Sequence, residues 1–219
     1  MKFSQNQTAV FFINKNKGTF FTSNAPKGIE LDFPKDILSH LEIIDRSKLE
    51  DFIHKFLEKN TIKPSRLFIV LGEDTTFEKD VTGISNSELN IETHKFLDIV
   101  PFDETISKVF KIQKKQKIYV ANKKLCKGVS EVFETEGFFV SAITPFVILL
   151  ELNPKLKENL PLLLKKLGTI KQYSLLSSSG PSYKSSSTGS SSSLNSRAIV
   201  LVSIFILLII ILSVLVFLL

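Results

Sequence analysis

The strongest constraint on this chain is an apolar segment, residues 198–219, which begins at Ala198 and ends at Leu219. Its 22 residues, AIVLVSIFILLIIILSVLVFLL, include no charged residue, no Pro and no Gly. A helix of this length is about 33 Å long, enough to cross a hydrocarbon core of about 30 Å. Lipid offers the backbone no hydrogen-bond partners, so we predict a transmembrane helix here. The alternative, a buried core helix, seldom runs so far without a charge.

The flanking charges predict the orientation of this helix. Arg197 adjoins it and Lys184 lies nearby, whereas no charged side chain follows it. Short positively charged flanks remain on the cytoplasmic side of a membrane. Residues 1–18 lack the apolar run of a secretory signal. We therefore expect a single-pass, tail-anchored protein of the cell membrane, with its N-terminal domain in the cytoplasm and the lipid bilayer as a partner.

Residues 177–197 connect this segment to the rest of the chain and are rich in serine. Of residues 177–196, 12 of 20 are Ser, so the stretch has almost nothing to bury. Such a composition is typical of a flexible, disordered linker, with an r.m.s. span of about 25 Å for this length. We expect the N-terminal domain to be tethered to the bilayer without a fixed orientation.

The remaining 176 residues are enough for one ordinary domain. The single cysteine, Cys126, cannot form an internal disulfide, and the three histidines are scattered at His40, His54 and His94. This usage is typical of a reducing compartment and gives no ligand spacing for a structural zinc ion. We predict no metal site and no cofactor.

Charge is divided unequally along the domain. Residues 1–104 contain 13 Lys and Arg against 17 Asp and Glu, whereas residues 105–176 contain 13 against 5. A basic surface close to an anionic leaflet is attracted to it. A solvated basic face on an ordinary domain is the equally favoured alternative.

In the first part of the chain, the patterns predict a hairpin of strands 8–13 and 19–23, a third strand over 28–33, and a buried strand over 66–71. Residues 47–60 repeat apolar side chains at helical spacing and predict a helix. Ser47 and Glu50 fit a capping box at its start.

Further along, the patterns predict a helix over 85–97, a strand over 117–121, a helix from Asn122 to Thr135 ended by Gly137, and a strand over 138–143. In the phrase VPFDETI, Asp103 is placed to cap a short helix. Alternating strands and helices indicate a parallel sheet here. The Leu-rich stretch 153–167, stopped by Gly168, either packs on the domain, which we favour, or lies on the membrane surface with Lys165 and Lys166 near the headgroups.

Residues 66–146 combine predicted elements in a characteristic order. A buried strand ending in Gly72 is followed by Lys79 and Val81, a helix and the phrase VPFDETI. The strand KIYVA, a helix ending at Gly137 and a strand running into Pro145 then follow. This order resembles that of the actin-like cytoplasmic proteins of type IV pilus and type II secretion inner-membrane platforms, the PilM and GspL group. The resemblance covers about residues 8–150. It implies an α/β fold, a single actin-like (RNase H-like) half-domain with a mixed sheet. The predicted organisation is therefore 1–150 for this domain, 151–176 for a Leu-rich helical extension, 177–197 for the linker and 198–219 for the membrane helix.

The sequence also departs from that group. Actin-like ATPases carry an acidic residue and a Gly-Thr or Gly-Ser turn between their first two strands, where backbone N–H groups hold phosphate. In the corresponding stretch 14–19 of this chain only Gly18 and Thr19 fit, and the chain is too short for a second lobe. We expect no ATP hydrolysis.

Other chemistry is weakly indicated. Cys126 has no nucleophile signature around it, and a buried structural cysteine is favoured. Glu73 and Asp74 follow a predicted strand, where adjacent acids are usually solvated. Lys111 to Lys117 lacks the Arg and aromatic residues of a nucleic-acid site. We predict no catalytic, cofactor-binding or metal-binding residue.

Two functions remain. The first is a membrane-anchored, non-catalytic scaffold that docks a protein partner at the cytoplasmic face of a membrane complex, such as a pilus or secretion platform. The alternative is a membrane-tethered nucleotide-binding protein or an enzyme acting on a membrane-associated substrate, because ligands commonly bind at the strand ends of parallel sheets.

Overall fold

The computed structural model describes residues 7–176. The predicted linker and the predicted membrane helix lie outside the described residues. Within residues 7–176, the structure contains no helix with both the length and the apolar character that crossing a bilayer requires.

The described elements, in chain order, are β1 (Thr8–Ile13), β2 (Lys17–Thr22), β3 (Ile29–Asp32), β4 (Leu38–Ser39), β5 (Glu42–Ile43), α1 (Arg46–Lys59), β6 (Arg66–Leu71), β7 (Thr76–Asp80), α2 (Asn86–Ile99), β8 (Thr105–Ile112), β9 (Lys115–Asn122), α3 (Lys123–Thr135), β10 (Phe139–Pro145), α4 (Phe146–Leu152) and α5 (Leu167–Gln172). Short 3₁₀ turns occupy Glu73–Thr75, Pro154–Leu156 and Leu160–Lys165.

The main sheet has five strands in the order β10-β6-β1-β2-β3. Strand β6 is parallel to both β1 and β10, whereas β2 is antiparallel to β1 and to β3. The predicted mixed sheet, the opening hairpin and the strand over 66–71 are confirmed. Gly18 and Thr19 lie within β2 and not in a turn. For Thr19 this agrees with the predicted strand over 19–23, whereas the assignment of both residues to the connection between the first two strands is wrong.

Alternate residues of β1 and β6 enter two separate cores. Phe11 and Ile69 belong to the larger core, together with apolar residues of α1 and α3. Phe12 and Phe68 belong to a second core on the opposite face, together with Leu residues that follow β10. Burial on both faces explains why these strands are continuous apolar runs and not alternating ones.

Helices α1 and α3 cover the face of the larger core. The N-cap of α1 is Asp45, whose carboxylate accepts from the Lys48 N–H at 3.0 Å, so the predicted capping box of Ser47 and Glu50 is wrong. Asp45 stands two residues earlier and satisfies the same kind of unpaired donor. The N-cap of α3 is Asn122, which accepts from the Leu125 N–H at 3.1 Å, as predicted.

A second sheet, in the order β7-β9-β8, lies between β6 and β10 in the sequence. Both pairings in it are antiparallel. Helix α2 starts with a capping box of Ser85 and Glu88 and packs on this sheet through Leu89 and Phe96. Two predictions are therefore wrong. Residues after Asp103 form strand β8 and not a helix, and the strand KIYVA is not parallel to β10, because β10 pairs with β6.

The segment after β10 packs on the domain. Leu156, Leu163 and Ile170 are buried in the second core, so the alternative that we favoured is the one observed. The segment is not a single helix, because prolines interrupt it as two 3₁₀ turns before α5. Gly168 lies inside α5 and does not end a helix, contrary to the prediction.

Two glycines give a matched test of packing. A Cβ on Gly18 would lie 2.5 Å from the Phe11 ring and 2.8 Å from Leu31, whereas a Cβ on Gly168 would meet nothing within 4 Å. We expect Gly18→Ala to lower the free energy of unfolding by about 1–3 kcal/mol, because the core must shift to admit the methyl group. Gly168→Ala should be neutral or stabilising by up to about 1 kcal/mol, because alanine favours a helix.

The measurement is urea unfolding of the full chain in mild detergent, followed by circular dichroism because the chain contains no Trp. Equal unfolding midpoints for the two variants would contradict the packing around Gly18.

One ion pair links α1 to the end of α3 and predicts a pH dependence. His54 Nδ1 lies 3.1 Å from the Glu136 carboxylate, and this hydrogen bond raises the pKa of His54 above its ordinary value of 6.5. The pair therefore stabilises the fold below about pH 6.5, and this contribution disappears as the pH rises through the raised pKa of His54. We expect His54→Gln to be less stable than the wild type at acidic pH and equally stable at alkaline pH, as measured by urea midpoints across the pH range. A constant difference would show that the pair contributes nothing.

Candidate functional site

The carboxyl ends of the three parallel strands lie at one edge of the main sheet. Strands β1, β6 and β10 end there at Ile13, Leu71 and Pro145, which are paired in register. Ligands of open α/β sheets commonly bind at such an edge, because the connecting loops leave a crevice there. The loops at this edge are the turn 14–16 after β1 and residues 72–75 after β6.

These two loops bind each other. The Lys15 N–H donates to both carboxylate oxygens of Asp74, at 3.1 Å each. The Gly72 N–H donates to the Ile13 carbonyl at 2.8 Å. A Cβ on Gly72 would lie only 1.8 Å from Asn14 Oδ1, so the side chain of Asn14 packs directly on the glycine backbone. The loop after β6 therefore fills the space beside the loop after β1.

Both acids of this loop have partners. Glu73 lies 3.3 Å from the Lys157 ammonium, which belongs to the segment following β10, while Asp74 accepts from Lys15. The prediction of simple solvated acids missed these contacts, because their partners lie far away in sequence. The side chain of Thr75 is buried and donates to the Gly72 carbonyl at 2.8 Å. The Lys15 N–H, which could otherwise donate to a phosphate, thus donates to the carboxylate of Asp74.

Cys126, His40 and His54 belong to elements away from these two loops. Cys126 is buried in α3, where burial raises the pKa of its thiol to about 12 and keeps it protonated. His40 has a positive φ of 50° in the β4–β5 turn, and His54 pairs with Glu136. Among residues 7–176, no group of three His, Cys, Asp or Glu side chains is placed to hold a metal ion.

A second candidate is an open groove of about 360 Å³ between the β4–β5 hairpin, α1 and α3. Its apolar part is Ile43 beside Gly128, and a Cβ on Gly128 would lie 2.3 Å from Ile43 Cδ1. Its charged lining is formed by Arg46, Glu104, Lys123, Lys124, Lys127 and Glu131. The buried amide of Asn122 donates to the Leu41 carbonyl at 3.1 Å and so holds the hairpin against α3.

The charges of this groove, which we call the basic groove, are arranged in pairs. Arg46 binds Glu131 and also Glu50, the latter at 3.0 Å. The hydrogen bond that Arg46 donates to Glu131 raises the pKa of Arg46 and lowers the pKa of Glu131. Both groups therefore stay ionised near neutral pH. Such fixed charges suit the recognition of a charged partner better than proton transfer.

Sequence reasoning missed the basic groove, since its two sides are far apart in the chain. Lys123 and Lys127 are one helical turn apart and could have suggested a basic helix face. Nothing local connects that face with Ile43 or Arg46.

Removing the Asp74 carboxylate tests the contact between the two loops. We expect Asp74→Ala to increase the hydrogen-exchange rate of the Lys15 amide, since the N–H loses its acceptor, and to cost about 1 kcal/mol of stability. Glu73→Ala is the matched control, because it removes a neighbouring acid and only an exposed ion pair. Equal protection of the Lys15 amide in both variants would contradict the contact.

Neither protein-family models nor curated proteins match the sequence. Among solved structures, the chain is similar to a PilM–PilN type IV pilus biogenesis complex, with 14% identity, 62% of this chain and 46% of that chain covered, and a TM-score of 0.44. It is also similar to the cytoplasmic domain of EpsL, an inner-membrane component of the type II secretion system of Vibrio cholerae, with 9% identity, coverages of 64% and 57%, and a TM-score of 0.40.

A protein of unknown function with an actin-like ATPase fold from Bacteroides thetaiotaomicron is similar at 13% identity, with coverages of 63% and 53% and a TM-score of 0.37. The chain spans about half the length of these structures. At these scores the similarity assigns no site, activity or partner to the residues of this chain.

Proposed function

We propose that this chain is a membrane-anchored docking protein without catalytic activity of its own, which holds a protein partner at the cytoplasmic face of a membrane assembly. The observation that carries the proposal is the occupation of the carboxyl edge of the sheet by the chain itself, through Lys15 and Asp74.

A nucleotide phosphate at this edge would compete with Asp74 for the Lys15 N–H. The carboxylate belongs to the same chain and is held close by the β6 loop, so its effective concentration is high. A phosphate that displaced it would also lie near a second negative charge, which is unfavourable. These two costs favour a role in binding partners over a role in phosphate chemistry.

The basic groove is the surface that we assign to the partner. It combines four cationic side chains with two acidic ones around the apolar contact of Ile43 and Gly128. An acidic peptide segment carrying an apolar side chain complements this combination, because charge complementarity orients the segment and the apolar contact favours its burial.

The membrane part of the proposal rests on the sequence. Residues 198–219 have the length and composition of a transmembrane helix, and the flanking Arg197 favours a cytoplasmic domain. The resemblance to the PilM and GspL group suggests a pilus or secretion platform as the assembly. In that group the actin-like domain binds the tail of a membrane partner, whereas this chain would carry its own anchor.

The full-length chain in native membranes tests the proposal. We expect no saturable ATP binding in titration calorimetry, because Asp74 occupies the edge. After cross-linking, we expect recovery of a pilus or secretion component with the wild type. Lys124→Glu combined with Lys127→Glu should reduce this recovery, since the change reverses two charges of the basic groove. Lys55→Glu combined with Lys59→Glu is the matched control on α1.

Saturable ATP binding would favour the nucleotide-binding alternative instead. If both double variants recover the same amount of a platform component, the docking role stands, but the basic groove is not the surface that binds the partner. If cross-linking of the wild-type chain recovers no pilus or secretion component, the proposed assembly is wrong.

A further inference from the structure

The segment after α4 forms a layer over one face of the main sheet. Residues 153–176, which we call the outer layer, contribute Leu156, Leu163 and Ile170 to the second core. Helices α1 and α3 contribute to the larger core, on the opposite face of the same strands. The outer layer and the two helices therefore cover opposite sides of the sheet.

The outer layer is strongly basic. It contains five lysines, all exposed, at positions 155, 157, 165, 166 and 171, and one acidic residue, Glu158. By contrast, α1 and α3 together contain seven basic and five acidic residues. Lys157 pairs with Glu73. No carboxylate within residues 7–176 lies within ion-pair distance of Lys155, Lys165, Lys166 or Lys171.

Leucines lie between these lysines. Leu160, Leu162, Leu164 and Leu167 are partly buried against the second core and keep part of their surface accessible. A surface with exposed ammonium groups and partly exposed leucines is suited to the headgroup region of a bilayer, where lysines reach the phosphates and apolar groups lie deeper.

The described part of the chain ends at the β10 edge of the main sheet, where Leu175 is buried in the larger core. The Ile143 N–H donates to Ser174 Oγ at 3.0 Å, and the Leu175 N–H donates to the Ile143 carbonyl at 2.8 Å. Leu175 is buried, and Thr144 Oγ1 donates to the Ile170 carbonyl at 2.6 Å. These contacts fix the last described turn to the edge of β10, so the polypeptide continues towards residues 198–219 from a defined place.

We propose that the outer layer docks on the surface of an anionic bilayer, the one in which residues 198–219 are anchored. This inference rests on the membrane anchoring in the proposed function. The composition of residues 177–197 predicts a linker with an r.m.s. span of about 25 Å, and such a linker would keep the domain near the bilayer surface. Each lysine within reach of anionic headgroups strengthens the docked state about fivefold.

Lysine footprinting tests this docking with an internal control. The full-length chain is reconstituted into vesicles of phosphatidylcholine alone, or of phosphatidylcholine with phosphatidylglycerol, and treated with a membrane-impermeant acetylating reagent. The test set is Lys165, Lys166 and Lys171, and the control set is Lys55, Lys59 and Lys63, which are exposed on or just after α1. Chains facing the lumen react at neither set, so the ratio between the sets is unaffected by orientation.

We expect severalfold slower acetylation of the test set in anionic vesicles at low salt, no change in the control set, and loss of the difference at high salt, where the Debye length shortens. Lys165→Glu with Lys166→Glu and Lys171→Glu should abolish the remaining protection of Lys155. Lys55→Glu with Lys59→Glu and Lys63→Glu should leave it unchanged. Circular dichroism verifies the fold of both triple variants.

Other outcomes separate the two proposals. If the chain does not float with the vesicles, the membrane anchoring of the proposed function is wrong. If it floats and both lysine sets react at the same rate in both vesicle types, anchoring stands and docking of the outer layer is wrong. Protection of the control set alone would assign the docking to the opposite face and likewise overturn the inference.

Discussion

The parallel pairing of β1 with β6 is the constraint on which the rest of the structure depends. Val10 lies opposite Phe68 and Phe11 opposite Ile69, and successive residues enter opposite cores. A register shift by one residue would exchange the two sets of side chains, so each core specifies the register for the other. Only a sheet buried on both faces needs two covering layers, and the chain supplies them from different places: α1 and α3 on one side, the segment after α4 on the other.

The same pairing determines the chemistry available at the edge of the sheet. Because β1 and β6 end in register, the loops after Ile13 and Leu71 begin side by side. The short turn after β1 then presents the Lys15 N–H towards the β6 loop, where Asp74 accepts it. An acidic residue at a strand end is often interpreted as catalytic. Here Asp74 accepts from the Lys15 N–H and so joins the two loops.

The parts of the fold that were predictable depend on local pattern. The hairpin, the strand over 66–71 and the helix after Asn122 each follow from consecutive residues. Each wrong prediction has one of two causes. Either the residue that determines the local structure lies far away in the sequence, or a second residue nearby fits the same role equally well. Asp45 and Ser47 are both acceptable caps, and it is Asp45 that accepts from the Lys48 N–H. Gly18 fits a turn by composition, but it lies inside β2, where a Cβ would be 2.5 Å from the Phe11 ring and 2.8 Å from Leu31. The basic groove joins Ile43 to Gly128, and no window of sequence contains both.

The Leu-rich segment combines two features that favoured different predictions. Its leucines were a reason to expect core packing, and its lysines were a reason to expect a membrane surface. In a single continuous helix, one apolar face would pack either on the core or on the membrane surface, and not on both. The 3₁₀ turns around Pro154 and Pro161 instead let Leu156 and Leu163 point into the second core while Lys155 and Lys165 remain exposed. One segment can therefore close the fold on its inner side and present charge on its outer side, while Ser174 and Leu175 hold its end at the edge of β10.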